Sequence, residues 1–276
     1  MLEKFKYINH LGETLEFGVN SLFANSNNLR NFSWSITSTN DKISGFYRGI
    51  VSKTIPIVMK CETAAEGIEM RNRLFEVFEK DVLAHRYGRI VIGDYYLKCF
   101  VTDSTKSNYL IHQSLIYLDL TIQTDLPEWI KETTTAFRTD SGASGENSFL
   151  DFSHDFPYDF KNGLSTGVLN NTGFVSSNFR MVIYGAVSSP TVFINNHEYS
   201  VETNIATGEY LTIDSVNKTI VLTKNNGQQV NCFNKRNKDS YIFEKIPSGE
   251  SIVSSTNEGI SFDVTLLEER SEPKWI

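Results

Sequence analysis

In Ser261-Phe262-Asp263-Val264-Thr265-Leu266 every second residue is apolar. A period of two marks a strand with one face on a core and the other in water. Similar short runs recur through the second half of the chain at Asn178 to Tyr184, Thr191 to Ile194, Glu198 to Val201 and Ile260 to Leu267, with a turn every eight to twelve residues. Strands at that spacing are expected to pack as two antiparallel sheets, so this half is predicted to be a β-sandwich.

The first half is strand-rich too. Phe5-Lys6-Tyr7-Ile8 and Thr14-Leu15-Glu16-Phe17 flank a polar turn and predict a hairpin, and further runs lie at Phe32 to Thr37, Ile43 to Val51 and Ile55 to Met59. One segment breaks the pattern. Thr63 and Glu66 form a capping box ahead of Ile68, Phe75, Phe78 and Val82, which predicts one amphipathic helix from Thr63 to about Leu83 lying on a sheet. Arg89 to Val101 predicts two strands turning at Gly93-Asp94, and the strongly apolar Leu115 to Ile122 predicts a central strand. Lys131 to Asn147, KETTTAFRTDSGASGEN, has little apolar anchorage. A domain boundary is expected there, giving domains 1–135 and 136–276, with the last residues packing back on the first domain.

At 276 residues no metal or disulfide staple is needed to support a core. The apolar runs are too short to span a membrane, and Met1-Leu2-Glu3-Lys4 does not open a secretory signal, so the expectation is production in the cytoplasm without membrane insertion. With a net charge of -7 and 26 dispersed Lys and Arg residues, tight or sequence-specific grip on nucleic acid is not expected. Cys61, Cys99 and Cys232 form no C-x-x-C pair and predict reduced, partly buried thiols.

Several short motifs resemble catalytic signatures. Ser215-Val216-Asn217-Lys218 matches S-x-x-K, but it falls where one strand must reverse into the next, and that nucleophile needs the start of a helix. Ser52-Lys53-Thr54 resembles the end of a phosphate-binding loop, yet a β-branched run follows it instead of a helix. Asp151, His154 and Asp155 are metal-ligand types at short spacing, with a loop between aromatic anchors as the simpler reading. Glu198, Glu202, Glu268 and Glu269 are the acids that a sandwich glycosidase would draw on, and nothing in the sequence pairs any two of them. No catalytic residue, cofactor or metal site is assigned.

Several segments taken together resemble the distal tail protein family of long-tailed phages and prophage tails. The opening Tyr7-Ile8-Asn9-His10-Leu11-Gly12-Glu13-Thr14-Leu15-Glu16-Phe17 is similar to that family's Y-x-N-x-x-G-E-x-I-x-F start, and Asp125-Leu126-Pro127-Glu128-Trp129 to its D-x-P-x-W segment, with Glu128 where an aromatic is usual. Phe156-Pro157-Tyr158-Asp159-Phe160, Val182 to Ile194, Ile246 to Ile252 and Glu269 to Trp275 follow in the family's order. The resemblance implies a β-rich first domain with one helix that forms the wall of a hexameric ring, and a galectin-like β-sandwich second domain. It implies a place at the virion tail tip between the tail tube protein and the tail-associated hub protein, with receptor-binding proteins as further partners.

Two other classes remain open from the residues. A carbohydrate-binding module would use a Trp or Tyr platform, and Trp34, Trp129 and Trp275 all lie outside the central strands of the second half. A wall hydrolase would need an acid pair or metal cluster. For the ring, Tyr7, Phe17, Phe46 and Tyr47 are the expected subunit seam, with core packing as the alternative for each.

Overall fold

The computed structural model describes residues 4–18, 22–24, 27–106, 115–138, 167–257 and 259–275. The chain divides into two compact units, Met1–Lys131 with Glu269–Ile276, and Glu132–Glu268.

The first unit contains β1 (Phe5–Ile8), β2 (Thr14–Phe17), β3 (Leu22–Ala24), β4 (Ser35–Thr39), β5 (Lys42–Tyr47), β6 (Val51–Lys60), α1 (Ala64–Ala84), β7 (Gly88–Ile92), β8 (Tyr95–Lys106), β9 (Leu115–Thr124) and the start of β10 (Trp129–Phe137). All pairings are antiparallel. The path β2-β1-β7 reaches the first half of β8, which also pairs Leu97 and Tyr96 with Trp129 and Ile130 of β10. After a register shift between Val101 and Asp103, the second half of β8 pairs with β9, and β9 with β6 and β6 with β3. The bulge lets one long strand serve two sheets. The expected hairpin, the Gly93-Asp94 turn and the central strand are all present: β9 pairs on both sides.

Alternation fixes the core. Ile55, Ile57 and Met59 of β6 and Ile116, Leu118, Leu120 and Ile122 of β9 point inward at every second position and meet Tyr7, Phe17, Leu97 and Trp129. At roughly 1.5–3 kcal/mol for each large side chain fully buried, this cluster is the main stabilising term of the unit. The helix is capped as its sequence predicts: Thr63 Oγ1 accepts from Glu66 N at 3.2 Å, and the Glu66 carboxylate accepts from Glu62 N at 2.9 Å. His85 closes it in the left-handed region at φ 51°.

The inward face of α1 differs from the predicted stripe. Gly67, Leu74, Val77, Phe78 and Asp81 are buried, while Ile68 and Phe75 stand exposed. Gly67 packs beside Cys61 and Ile116, and a Cβ there would reach both at an ordinary contact distance of 3.7–3.8 Å. The run read as Ile43 to Val51 is likewise two strands, broken at Arg48-Gly49-Ile50.

The second unit holds β11 (Gly167–Asn171), β12 (Asn178–Tyr184), β13 (Val187–Ser188), β14 (Thr191–Ile194), β15 (His197–Ser200), β16 (Asn204–Ile205), β17 (Tyr210–Asp214), β18 (Thr219–Thr223), β19 (Gln229–Asn231), β20 (Gly249–Ser255) and most of β21 (Ser261–Arg270). One sheet runs β19-β18-β17-β12-β21 and the other β11-β20-β14-β15, with β13 and β16 as a small pair. Phe179, Met181, Ile183, Leu211, Ile213, Phe262 and Val264 of the first sheet and Leu169, Val192, Ile194, Tyr199 and Val253 of the second form one buried core. This is the antiparallel sandwich that the alternation predicts.

Candidate functional site

The S-x-x-K stretch is a turn. Asp214 Oδ1 accepts from Val216 N at 2.8 Å and Asn217 N at 2.9 Å, and Lys218 adopts φ 54°, which reverses the chain between β17 and β18. Ser215 is fully buried; its Oγ accepts from Phe179 N at 2.7 Å and donates to Asn178 Oδ1 at 3.2 Å. It staples the turn to β12 and presents no nucleophile to solvent.

Other chemistry-bearing groups are similarly occupied. Glu198 Oε1 accepts from Asn237, and the buried Glu268 carboxylate accepts from Thr172. Asp151, His154 and Asp155 lie outside the described residues. Among the described residues no group of three or more His, Cys, Asp and Glu is placed to hold a metal. Cys61, Cys99 and Cys232 are free and buried, and burial pushes the Cys99 thiol up to about 12.

One buried polar cluster ties the opening hairpin to α1. Asp81, with no exposed surface, accepts from Tyr7 Oη at 2.6 Å and from His10 N at 2.8 Å, and its Oδ1 lies 2.5 Å from His10 Nδ1. Burial, the nearby Cys99 and the bond to Asp81 all raise the Tyr7 phenol well above its ordinary range. Gly88 sits against Tyr7 and Asp81, leaving no room for a Cβ. The arrangement has a carboxylate and an imidazole in contact, but a closed one: it locks β1 and the last turn of α1 together.

The four expected seam residues separate into two pairs. Tyr7 and Phe17 are 1% and 2% exposed and belong to the core of the first unit, so their rings cannot meet a neighbour. Phe46 and Tyr47 are 63% and 54% exposed, on the β4–β5 ribbon. Among the described residues that ribbon pairs with itself alone, turning at Asn40 and Asp41 with φ 51° and 59°, the two positive values a tight hairpin turn requires. Ile36 lies opposite Phe46 and Ser38 opposite Ile43. Alternation therefore places Trp34, Ile36, Ile43 and Phe46 on one face and Ser35, Thr37, Thr39 and Ser44 on the other, where Ser44 bridges the Thr37 and Thr39 hydroxyls. The apolar face is exposed throughout. Trp34 and Ile36, which are not among the expected seam residues, share the exposed apolar face with Phe46, and the S-W-S-I-T-S-T alternation before Asn40-Asp41 carries the signal for that face.

A pocket of about 200 Å³ opens at the base of the ribbon, lined by Asn28, Asn31, Phe32, Arg48, Lys53 and Pro127 among others. Lys53 is 6% exposed; its ammonium donates to the backbone carbonyls of Asn28 at 3.1 Å and Asn31 at 2.5 Å, and burial lowers its pKa. Arg48 donates to Pro127 O and Glu128 Oε1 and lies 4.2 Å from the Trp34 ring centre. Trp129 is buried, Trp275 is exposed with the Arg30 guanidinium 4.0 Å from its ring centre, and all three tryptophans belong to the first unit.

No family model matches the chain, and no curated protein matches it. Solved structures do match. The SPP1 Dit protein, described as a paradigm of the hub adsorption apparatus in phages infecting Gram-positive bacteria, aligns at TM-score 0.59 and 11% identity over 96% of this chain and 99% of that one. A chain of the phage P2 baseplate in its activated conformation with Ca aligns at TM-score 0.64 and 12% identity over 99% of this chain and 100% of that one. The same baseplate with Sr aligns at TM-score 0.63 and 11% identity over 98% of this chain. Both units thus share the fold of phage baseplate proteins. Within that class, the match to SPP1 Dit over nearly its full length gives the distal tail protein fold.

Proposed function

We propose that the chain is a non-enzymatic structural subunit of a phage or prophage tail tip, six copies of which close into a ring joining the tail tube to the hub protein. The observation that carries this reading is the alignment of both units, end to end, with chains from phage baseplates. The first unit forms the ring wall, and the second holds receptor-binding proteins. The ribbon supports the reading. A two-stranded hairpin is marginal in water by itself, and one with a bare apolar face is stabilised when a neighbour covers it. With a charge of -7 per copy, a ring lumen lined by this chain would repel passing DNA instead of gripping it.

Negative-stain images and light scattering of the purified protein, alone and mixed with its tail tube neighbour, test the proposal. Six-fold rings are the expected result. A protein that stays monomeric in both conditions overturns it.

A further inference from the structure

The pocket at the ribbon's base has an electrostatic imbalance. Among the described residues Lys53 is buried and held by backbone carbonyls alone, and the Arg48 side chain, 8% exposed, pairs with Glu128. Two cations thus share the concavity with one carboxylate. Buried cations attract strongly when desolvated and are costly when left short of an anion. Two polar atoms in this region are also buried without a partner: Arg48 Nε and Asn28 Oδ1. Turning the Asn28 carboxamide over would replace that idle acceptor with a donor. Arg48 Nε, Lys53 Nζ and an Asn28 N–H would then offer a charge-assisted, multi-donor site suited to one oxyanion.

The rim indicates what carries that oxyanion. Phe32 and Trp34 are exposed beside the pocket, and the bare apolar face continues along the ribbon through Ile36 and Phe46. A free inorganic ion makes no use of an apolar rim, whereas an acidic side chain with apolar neighbours fills both parts. This chain carries such a segment on α1, where Phe75, exposed together with Ile68 and Leu83, is followed by the exposed Glu76 and the half-buried Glu79. A ring of identical subunits needs two different, complementary patches on each copy.

We propose that the Arg48–Lys53 pocket is a carboxylate-binding site that receives a glutamate from the outer face of α1 in the next copy, with the exposed helix apolars covering the ribbon. The inference rests on the ring reading and names its seam. Arg48 with Trp34 forms the aromatic-and-arginine centre typical of interfaces, and Lys53 is the charge that waits for its partner.

Zero-length carbodiimide coupling on rings assembled from equal amounts of ¹⁵N-labelled and unlabelled chains tests it, with mass spectrometry of the joined peptides. The expected product joins Lys53 to Glu76 or Glu79 between copies. K53M and the double variant E76Q/E79Q should each raise the concentration for half-assembly at least tenfold, and the single variant E76Q, at the exposed position, should weaken assembly with no change in monomer melting. Rings whose assembly ignores both variants, or Lys53 coupled to a different segment, overturn the inference and leave the ring reading standing. Inorganic phosphate saturating the pocket in the monomer, followed by nuclear magnetic resonance, with assembly indifferent to K53M, assigns a free-anion site and overturns it as well. A wild type that never forms rings removes both.

Discussion

Ser215 shows how a residue's neighbours decide its role. Its hydroxyl satisfies the buried N–H of Phe179, and replacing it with alanine leaves that donor without a partner. S215A is expected to lower stability by about 1–3 kcal/mol in denaturant unfolding, the cost of an orphaned buried donor. The wild type should not react with an active-site serine probe; stoichiometric labelling of Ser215 would refute the turn assignment. Cys99 gives a pH prediction with a definite sign. Its thiol is raised by burial from an ordinary value near 9 to about 12, so the folded state favours the neutral form. The stability this contributes is complete below about pH 9 and is lost as the pH climbs toward 12. Alkylation of the native protein at pH 8 should spare Cys99 and modify it only on unfolding, which peptide mapping reads directly.

At the scale of elements, the ribbon and the helix illustrate opposite limits. Ile36 and Phe46 are exposed on a pair of strands joined to no other strand among the described residues, so truncating them removes little from the folded monomer. I36S/F46S should change the monomer melting temperature by no more than about 2 °C, since surface changes fall within roughly 0.5 kcal/mol, while abolishing rings in light scattering. Loss of the monomer fold would instead place the ribbon in the core. The ribbon amides should exchange with solvent quickly in the monomer and become protected on assembly. The alternation of the ribbon is legible in the sequence, but its isolation is not, because alternation is the same whether the apolar face meets its own core or another chain. The helix start is legible for a local reason: Thr63 and Glu66 satisfy nearby backbone donors without help from tertiary contacts. Which stripe faces inward is not. The 67-74-78 and 68-75-82 stripes are adjacent and both partly apolar, and the one that is buried includes Asp81, whose partners Tyr7 and His10 come from the opening hairpin more than 70 positions away.

For the whole molecule, period-two patterning is enough to anticipate a mainly β chain with a sandwich in its second half. The expected tail-tip role came from ordered motifs that resemble a family, one of which, Phe156 to Phe160, lies outside the described residues. The contacts by which the last residues close the first unit are beyond sequence pattern, although their return to it is expected. Its chain ends include Glu269–Ile276, and the contacts that fasten this segment join residues more than 200 positions apart: Arg30 Nη1 donates to Pro273 O at 2.8 Å, and Arg48 Nη1 to Ser271 Oγ at 3.3 Å. Ending the chain at Arg270 keeps β21 whole and removes both acceptors, together with Trp275, which lies against Arg30. With two side chain–backbone or side chain–side chain bonds to charged donors lost at about 1.5–3 kcal/mol each before solvent compensates at the exposed positions, a loss of about 2–4 kcal/mol in the first unit is expected. Tryptophan emission isolates that unit, because Trp34, Trp129 and Trp275 all belong to it, and buried Trp129 survives the truncation. In guanidinium the fluorescence midpoint of the shortened chain should fall, while the circular dichroism signal of the sandwich unfolds where it did before. A fluorescence midpoint that does not move would mean that the final segment rests on the first unit without stabilising it.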